Sequence, residues 1–275
     1  MTALPPVTAE RADGKPPRLQ LEGVRHAYGQ LQVLDGVSLH LSEGELVTIL
    51  GPSGCGKSTI FSILTGAVCQ NSGDVLIDDA PLGPRTERFA VMPQTDALLP
   101  WRRVIDNVTL GLEVQGLSRR AARARAQPLL ATFGLEDFAR AYPFQLSGGM
   151  RQRAALLRTV VQDRSVLLLD EPFGALDALT RTDMQTWLES VWDTFRWSVL
   201  LITHDIREAV FLSDRIYVLS PRPARVVAEI TVQLTRPRRM DQMSSPVFVR
   251  AETQLREVLF DTRVQGDHPD PLPSR

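Results

Sequence analysis

Eight residues, Gly51-Pro52-Ser53-Gly54-Cys55-Gly56-Lys57-Ser58, run in the order G-x-x-x-x-G-K-S and are followed by Thr59. Glycines at 51, 54 and 56 let the backbone curl until its N–H groups converge, a geometry that suits phosphate oxygens. Lys57 brings a positive charge to β- and γ-phosphates, and the Ser58 hydroxyl is a hard oxygen ligand for Mg²⁺. The flanks agree with this chemistry. The apolar run Glu45–Leu50 (ELVTIL) reads as a strand and Lys57–Leu64 as a helix, so the loop opens a helix N-terminus.

A second apolar run, Val166-Leu-Leu-Leu, ends in Asp170 and Glu171. Carboxylates at the C-terminal end of a strand, beside a phosphate loop, stand where α/β folds place ligand chemistry. Asp170 suits a Mg²⁺ shell, and Glu171 suits polarising an attacking water. His204 closes a third run, LLITHD. His26, His40 and His268 read as surface or packing residues. Cys55, next to a helix N-terminus and Lys57, is expected to ionise more readily than a free cysteine and to be the thiol that maleimide modifies.

These residues need a sheet to hold them. Glu45–Leu50, Ser165–Leu169, Ser198–Thr203 and Arg215–Leu219 are nearly continuous in apolar character, as strands buried on both faces are. Lys57–Leu64, Ala178–Phe195 and Ile206–Leu212 fit helices between them. The alternation gives an α/β class with a mainly parallel sheet. Arg18–Leu41 alternates apolar and polar residues around a turn at Tyr28-Gly29-Gln30, which predicts an antiparallel β layer. From about Trp101 to Arg164 the sequence reads as helix, including the Ala/Arg-rich Ser118–Phe133, and predicts an inserted α-helical subdomain. Residues 1–17 and roughly 264–275 read as disordered tails, and 235–275 as a C-terminal extension that is helical in part.

Composition narrows the function. Lys and Arg number 31 against 32 Asp and Glu, and the sequence pI is about 6.4, which argues against a general nucleic-acid binder. Two cysteines are too few for a disulfide framework and fit a reducing compartment. The N-terminus has no apolar core of a signal peptide, and no run approaches the ~20 apolar residues that span a bilayer. Work at a membrane would then pass through a partner.

Leu146-Ser-Gly-Gly-Met-Arg-Gln-Arg153, followed by Asp170-Glu171-Pro172 and Ala175-Leu-Asp177, resembles the signature sequence, Walker B segment and D-loop of ABC ATPases. The resemblance runs from Arg18 to about Leu234 in the family's order. It implies a P-loop NTPase core, ATP and Mg²⁺ as ligands, and hydrolysis of ATP in a sandwich of two subunits. It assigns Tyr28 to stacking on adenine, Gln94 to the phosphates and the metal, Asp177 to the D-loop, and His204 to the γ-phosphate. Ser147, Gly148 and Gly149 would then form a second anion cradle ahead of a helix read as Met150–Val161, facing the nucleotide of the other subunit. Two departures stand out. Met150 replaces the Gln of many members, removing that side chain's contact, and Pro93 stiffens the loop before Gln94.

Leu98-Leu-Pro-Trp-Arg-Arg-Val-Ile-Asp-Asn-Val108, Phe173-Gly-Ala-Leu-Asp-Ala-Leu-Thr-Arg181 and Arg215-Ile-Tyr-Val-Leu-Ser-Pro-Arg-Pro-Ala-Arg-Val226 are similar to the nitrate/sulfonate/taurine importer ATPases. That likeness implies transmembrane permease subunits as direct partners, a solute-binding protein as an indirect one, and a peripheral place on the cytoplasmic face of the inner membrane. The ATPase pair would be a homodimer or a dimer with a homologue. A thiamine-precursor or other small-nutrient importer is the alternative, and a soluble ABC ATPase the more distant one. Ala97–Trp101 suits either docking of a permease helix or packing between subdomains. The segment after Leu234 reads as too short for a separate regulatory domain.

Overall fold

The computed structural model describes residues 17–83 and 88–266. The tails read as disordered lie outside the described residues at 1–16 and 267–275. Strands β1 (Leu19–Tyr28) and β2 (Leu31–Leu41) form a hairpin, and β1 pairs on its other side with β4 (Ser72–Ile77), which carries the short β5 (Ala80–Pro81). All these pairings are antiparallel. Gly29, at φ +60°, supplies the left-handed residue that the two-residue turn after Tyr28 needs.

The larger sheet has the order β10-β9-β3-β8-β7-β6. Its members are β3 (Leu46–Leu50), β6 (Phe89–Met92), β7 (Val166–Asp170), β8 (Ser198–Thr203), β9 (Arg215–Leu219) and β10 (Val226–Thr231). Five run parallel, and β10 closes the edge antiparallel to β9. Every residue of β3, β8 and β9 is buried. The reason is that the sheet is covered twice. Val47, Ile49, Leu200 and Ile202 meet the antiparallel layer and helix α1 (Lys57–Leu64), whereas Leu46, Leu50, Val199 and Leu201 face the remaining helices.

Between β6 and β7 the chain is helical: α2 (Val104–Val108), α3 (Leu110–Val114), α4 (Arg119–Thr132) and α5 (Gly148–Val160), with 3₁₀ turns at Glu136–Phe138 and Pro143–Gln145. Helix α6 (Ala178–Phe195) joins β7 to β8, and α7 (Ile206–Leu212) joins β8 to β9. Helix α8 (Pro246–Gly266) inserts Phe248 and Leu255 into the core, so the C-terminal extension is docked on the sheet's helical side. It also continues past residue 264, where the sequence reads as tail. No helix among the described residues is long and apolar enough to cross a membrane.

Candidate active site

The parallel strands β3, β7 and β8 deliver their C-terminal ends to one edge, so the residues that follow each strand meet there. After β3 the chain turns through Gly51–Gly56 into α1. Gly56 is the helix cap, at φ +125°, and offers no side-chain oxygen to the first amides. A Cβ there would lie 2.9 Å from Leu34 Cδ2 and 3.0 Å from Val33 Cγ1, so β2 presses the loop into shape. Lys57 is buried, and its ammonium donates to the carbonyls of Gly51 (2.8 Å) and Pro52 (2.9 Å). Ser53, Gly54 and Ser58 face solvent. Amides without a cap, a cation and an exposed hydroxyl make an oxyanion site.

Glu171 follows β7 and is held in the left-handed region at φ +43°. Its amide donates to Ile202 O of β8 at 2.8 Å and its carbonyl accepts from Gly174 N at 3.0 Å, which fixes this uncommon conformation. Its carboxylate stands between two other expected site residues. Gln94 Nε2 donates to Oε2 at 3.1 Å, and His204 Nδ1 lies 3.1 Å from Oε1. Three residues separated by up to 110 positions thus meet at one carboxylate. Burial, then the charge of Glu171, holds the Asp170 carboxyl above its usual range, with Lys57 pulling the other way.

Other expected residues are placed elsewhere. Tyr28 ends β1, half exposed, edge-on to His26 with ring centroids 4.6 Å apart. Ser147 caps α5 by accepting from Met150 N at 3.3 Å, which draws Gly148 and Gly149 into the helix that was expected to start at Met150. Gly149 is buried against α6, where a Cβ would meet Thr180 Cγ2 at 3.2 Å. Asp177 caps α6, and its hydrogen bonds from Thr180 hold its carboxyl below the usual range. No hydrogen bond among the described residues joins Tyr28, Ser147 or Asp177 to the Gln94–Glu171–His204 group.

Cys55 corrects an expectation. Its thiol is 2% exposed, within the core between the two sheets, whereas Cys69 is exposed. Burial pushes the Cys55 thiol up, and the charge of Lys57 offsets only part of that. Proximity to a helix N-terminus fails as a guide here because the side chain points under the loop and away from the anion site. In the Ala97–Trp101 segment Leu98 packs into the core, as the packing reading expects, and Trp101 stays exposed. Trp101 is 72% exposed beside a cleft of about 560 Å³ lined also by Leu99, Arg103, Asp106 and Tyr142, while Leu98, Val104 and Val108 are core.

One feature was not visible in the sequence. Arg158 donates to the carbonyls of Asp96 and Ala97 (2.6 and 2.7 Å), and Arg151 reaches the Asp96 carboxylate at 3.2 Å. Both arginines belong to α5, so the segment that follows Gln94 is clasped to the helix that Ser147 starts. Basic residues on the exposed-looking side of a helix were the only signal available.

Residues 34–174 match the ABC transporter family. The chain is 43% identical over 241 residues to the taurine import ATP-binding protein TauB of Rhizobium johnstonii, covering 86% of this chain and 92% of that protein. To the TauB of Burkholderia pseudomallei it is 48% identical over 209 residues, 76% of this chain and 80% of that one. Among solved structures, the dimeric bacterial ABC transporter cassette MJ0796 superposes with a TM-score of 0.67 at 29% identity, covering 79% of this chain and all of that one.

Proposed function

Because the chain belongs to the ABC transporter family, we propose that it is the ATP-hydrolysing subunit of an importer for taurine or a related sulfonate. The observation that carries the site assignment is the meeting of Gln94, Glu171 and His204 at the strand edge that also bears the Gly51–Ser58 loop. The loop amides and Lys57 bind the phosphates. Tyr28 offers its half-exposed ring to the adenine. Glu171, oriented by Gln94 and His204, takes a hydrogen bond from the attacking water, and His204 meets the γ-phosphate.

The donor set fits Mg²⁺. Ser58, Gln94 and Asp170 offer a hydroxyl, an amide oxygen and a carboxylate, and no cluster of three or more His, Cys, Asp or Glu among the described residues suggests a softer metal. A cation there would also relieve the burial that opposes ionisation of Asp170. When bound, it neutralises charge on the β- and γ-phosphates.

The site is completed in a dimer, where Ser147, Gly148 and Gly149 of one subunit face the nucleotide held by the other. A homodimer and a dimer with a homologue are both compatible with this geometry. The Trp101 cleft is the surface for a permease subunit, through which the chain is held at the cytoplasmic face of the membrane. The solute is selected by the permease and its binding protein.

Glu171→Gln tests the assignment. It is expected to retain ATP binding, lower turnover by ~10² or more and favour an ATP-bound dimer. Turnover near the wild-type rate would remove Glu171 from the role.

A further inference from the structure

The turn that carries His204 is braced from behind by groups that have no place in the reaction described above. β8 ends at Thr203, whose hydroxyl accepts from Asp205 N at 3.1 Å. Asp205 in turn caps α7, accepting from Arg207 N (2.8 Å) and Glu208 N (3.1 Å). Arg181 of α6 spans two loops. Its Nη1 lies 3.8 Å from Asp205 Oδ2, and its Nη2 donates to Leu176 O at 2.9 Å, one residue before Asp177.

Glu208 fills the space beneath this turn. It is 3% exposed; Oε2 accepts from Gln185 Nε2 of α6 at 3.5 Å, and Oε1 has no hydrogen-bond partner. A buried carboxylate with one bare oxygen, next to a second carboxylate, is a costly arrangement; a neutral carboxyl is a tolerable one.

We propose that Glu208 and Arg181 are positioning residues for His204, locking its turn to α6 and to the loop that precedes Asp177. The proposal rests on the reading of His204 given above. Without the brace the Thr203–Asp205 turn can shift, and His204 leaves the point 3.1 Å from Glu171 at which it works. The groups facing Glu208 are Asp205 on its own helix, Thr203 from β8, and Arg181 and Gln185 from α6. On the adjoining α8, Glu252 is engaged with Arg207 at 3.3 Å. Burial first, and then Asp205, pushes the Glu208 carboxyl up to about 8, against the opposite pull of Thr203, Arg181 and Gln185. The neutral form therefore predominates below that pH. Above it Glu208 ionises, repels Asp205 and loosens the turn.

The test measures kcat and KM for ATP with the full chain between about pH 6.5 and 9.5. The variants are Glu208→Gln, Arg181→Ala and Arg181→Lys, with His204→Ala as reference. The wild type should lose kcat above about pH 8, tending towards tenfold per unit, with KM steady. Glu208→Gln, which cannot ionise, should keep the neutral-pH kcat and lose that alkaline limb. Arg181→Ala should lower kcat about tenfold at constant KM, and Arg181→Lys should recover part of it. A wild type without the limb, or a Glu208→Gln variant that keeps it, overturns the proposal. If Glu208→Gln does not fold, Arg181 decides: a change confined to KM, or no change, overturns it. Full activity of His204→Ala would instead overturn the role of His204, a different result from a failure of the brace alone.

Discussion

Helices α1 and α5 both begin at glycines, yet the two beginnings are built differently. At α1 the backbone itself is unusual, with Gly54 at φ +76° and Gly56 at φ +125°, and no side chain caps the amides. At α5 the backbone is ordinary: Ser147 caps from its own hydroxyl, Gly148 is helical, and Gly149 is small because α6 lies against it. The first start holds amides and a lysine ready for an anion within one chain. The second has already spent one amide on its own serine and presents the rest. Two helix starts to which different parts are proposed, one binding and one completing, can therefore look alike as sequence while their backbones differ.

The largest expected difference between them lies in nucleotide affinity. Lys57→Ala should weaken ATP binding by ~10² or more, measured by fluorescence titration, because the only buried cation of the loop is removed. Ser147→Arg should leave binding to the single chain within a few fold and abolish hydrolysis. Mixed Lys57→Ala and Ser147→Arg chains should regain activity from the one composite site made of two intact halves. If Ser147→Arg weakens binding as much as Lys57→Ala, the distinction between the two helix starts fails.

Stability separates them next. Gly56→Ala combines a left-handed backbone with a close approach to Leu34 and should cost roughly 2–3 kcal/mol. Gly149→Ala requires only that Thr180 shift by a few tenths of an ångström, and should cost about 1 kcal/mol or less. Thermal unfolding of the two variants measures the gap, and equal losses would erase it.

The smallest effect concerns the thiol between Gly54 and Gly56. Maleimide should label Cys69 and spare Cys55, with MgATP making little difference, as read by peptide mapping. Rapid labelling of Cys55 that MgATP slows would return that residue to the anion site.

Much of the larger sheet was legible because its central strands are buried on both faces and so are apolar throughout. Ser198–Thr203 and Arg215–Leu219 keep the limits expected of them, as do α1, α6 and α7. The strands that were missed lack that pattern. β6 has four residues, β4 is buried at only two positions, and β10 buries only Ile230. In the site, residue types and spacing marked the phosphate loop and the Asp170–Glu171 pair, while Tyr28, Gln94 and the role of His204 came from family likeness. Nothing in the sequence could place Gln94 and His204 on the same carboxylate, since that depends on strand order. Glu208 did leave a trace: an acid on a short helix whose next four residues, Ala209 to Leu212, are all apolar. Cys55 misled because sequence gives proximity to a helix start and not the direction in which a side chain points.

The arginine clasp on α5 has a thermodynamic consequence. Arg151 and Arg158 stand seven positions apart, about 10 Å along the helix, and both hold Asp96. Two such anchors leave the segment little freedom to slide or pivot, so Gln94, two residues before Asp96, and Gly148, at the start of the same helix, are tied to one clasped unit. Free energy released by seating Gln94 is then shared with the far end of α5. By reciprocity, whatever engages Gly148 from outside must bias Gln94 by the same amount. In the dimer proposed above, two nucleotides would thus influence each other through this clasped unit, without any contact between them.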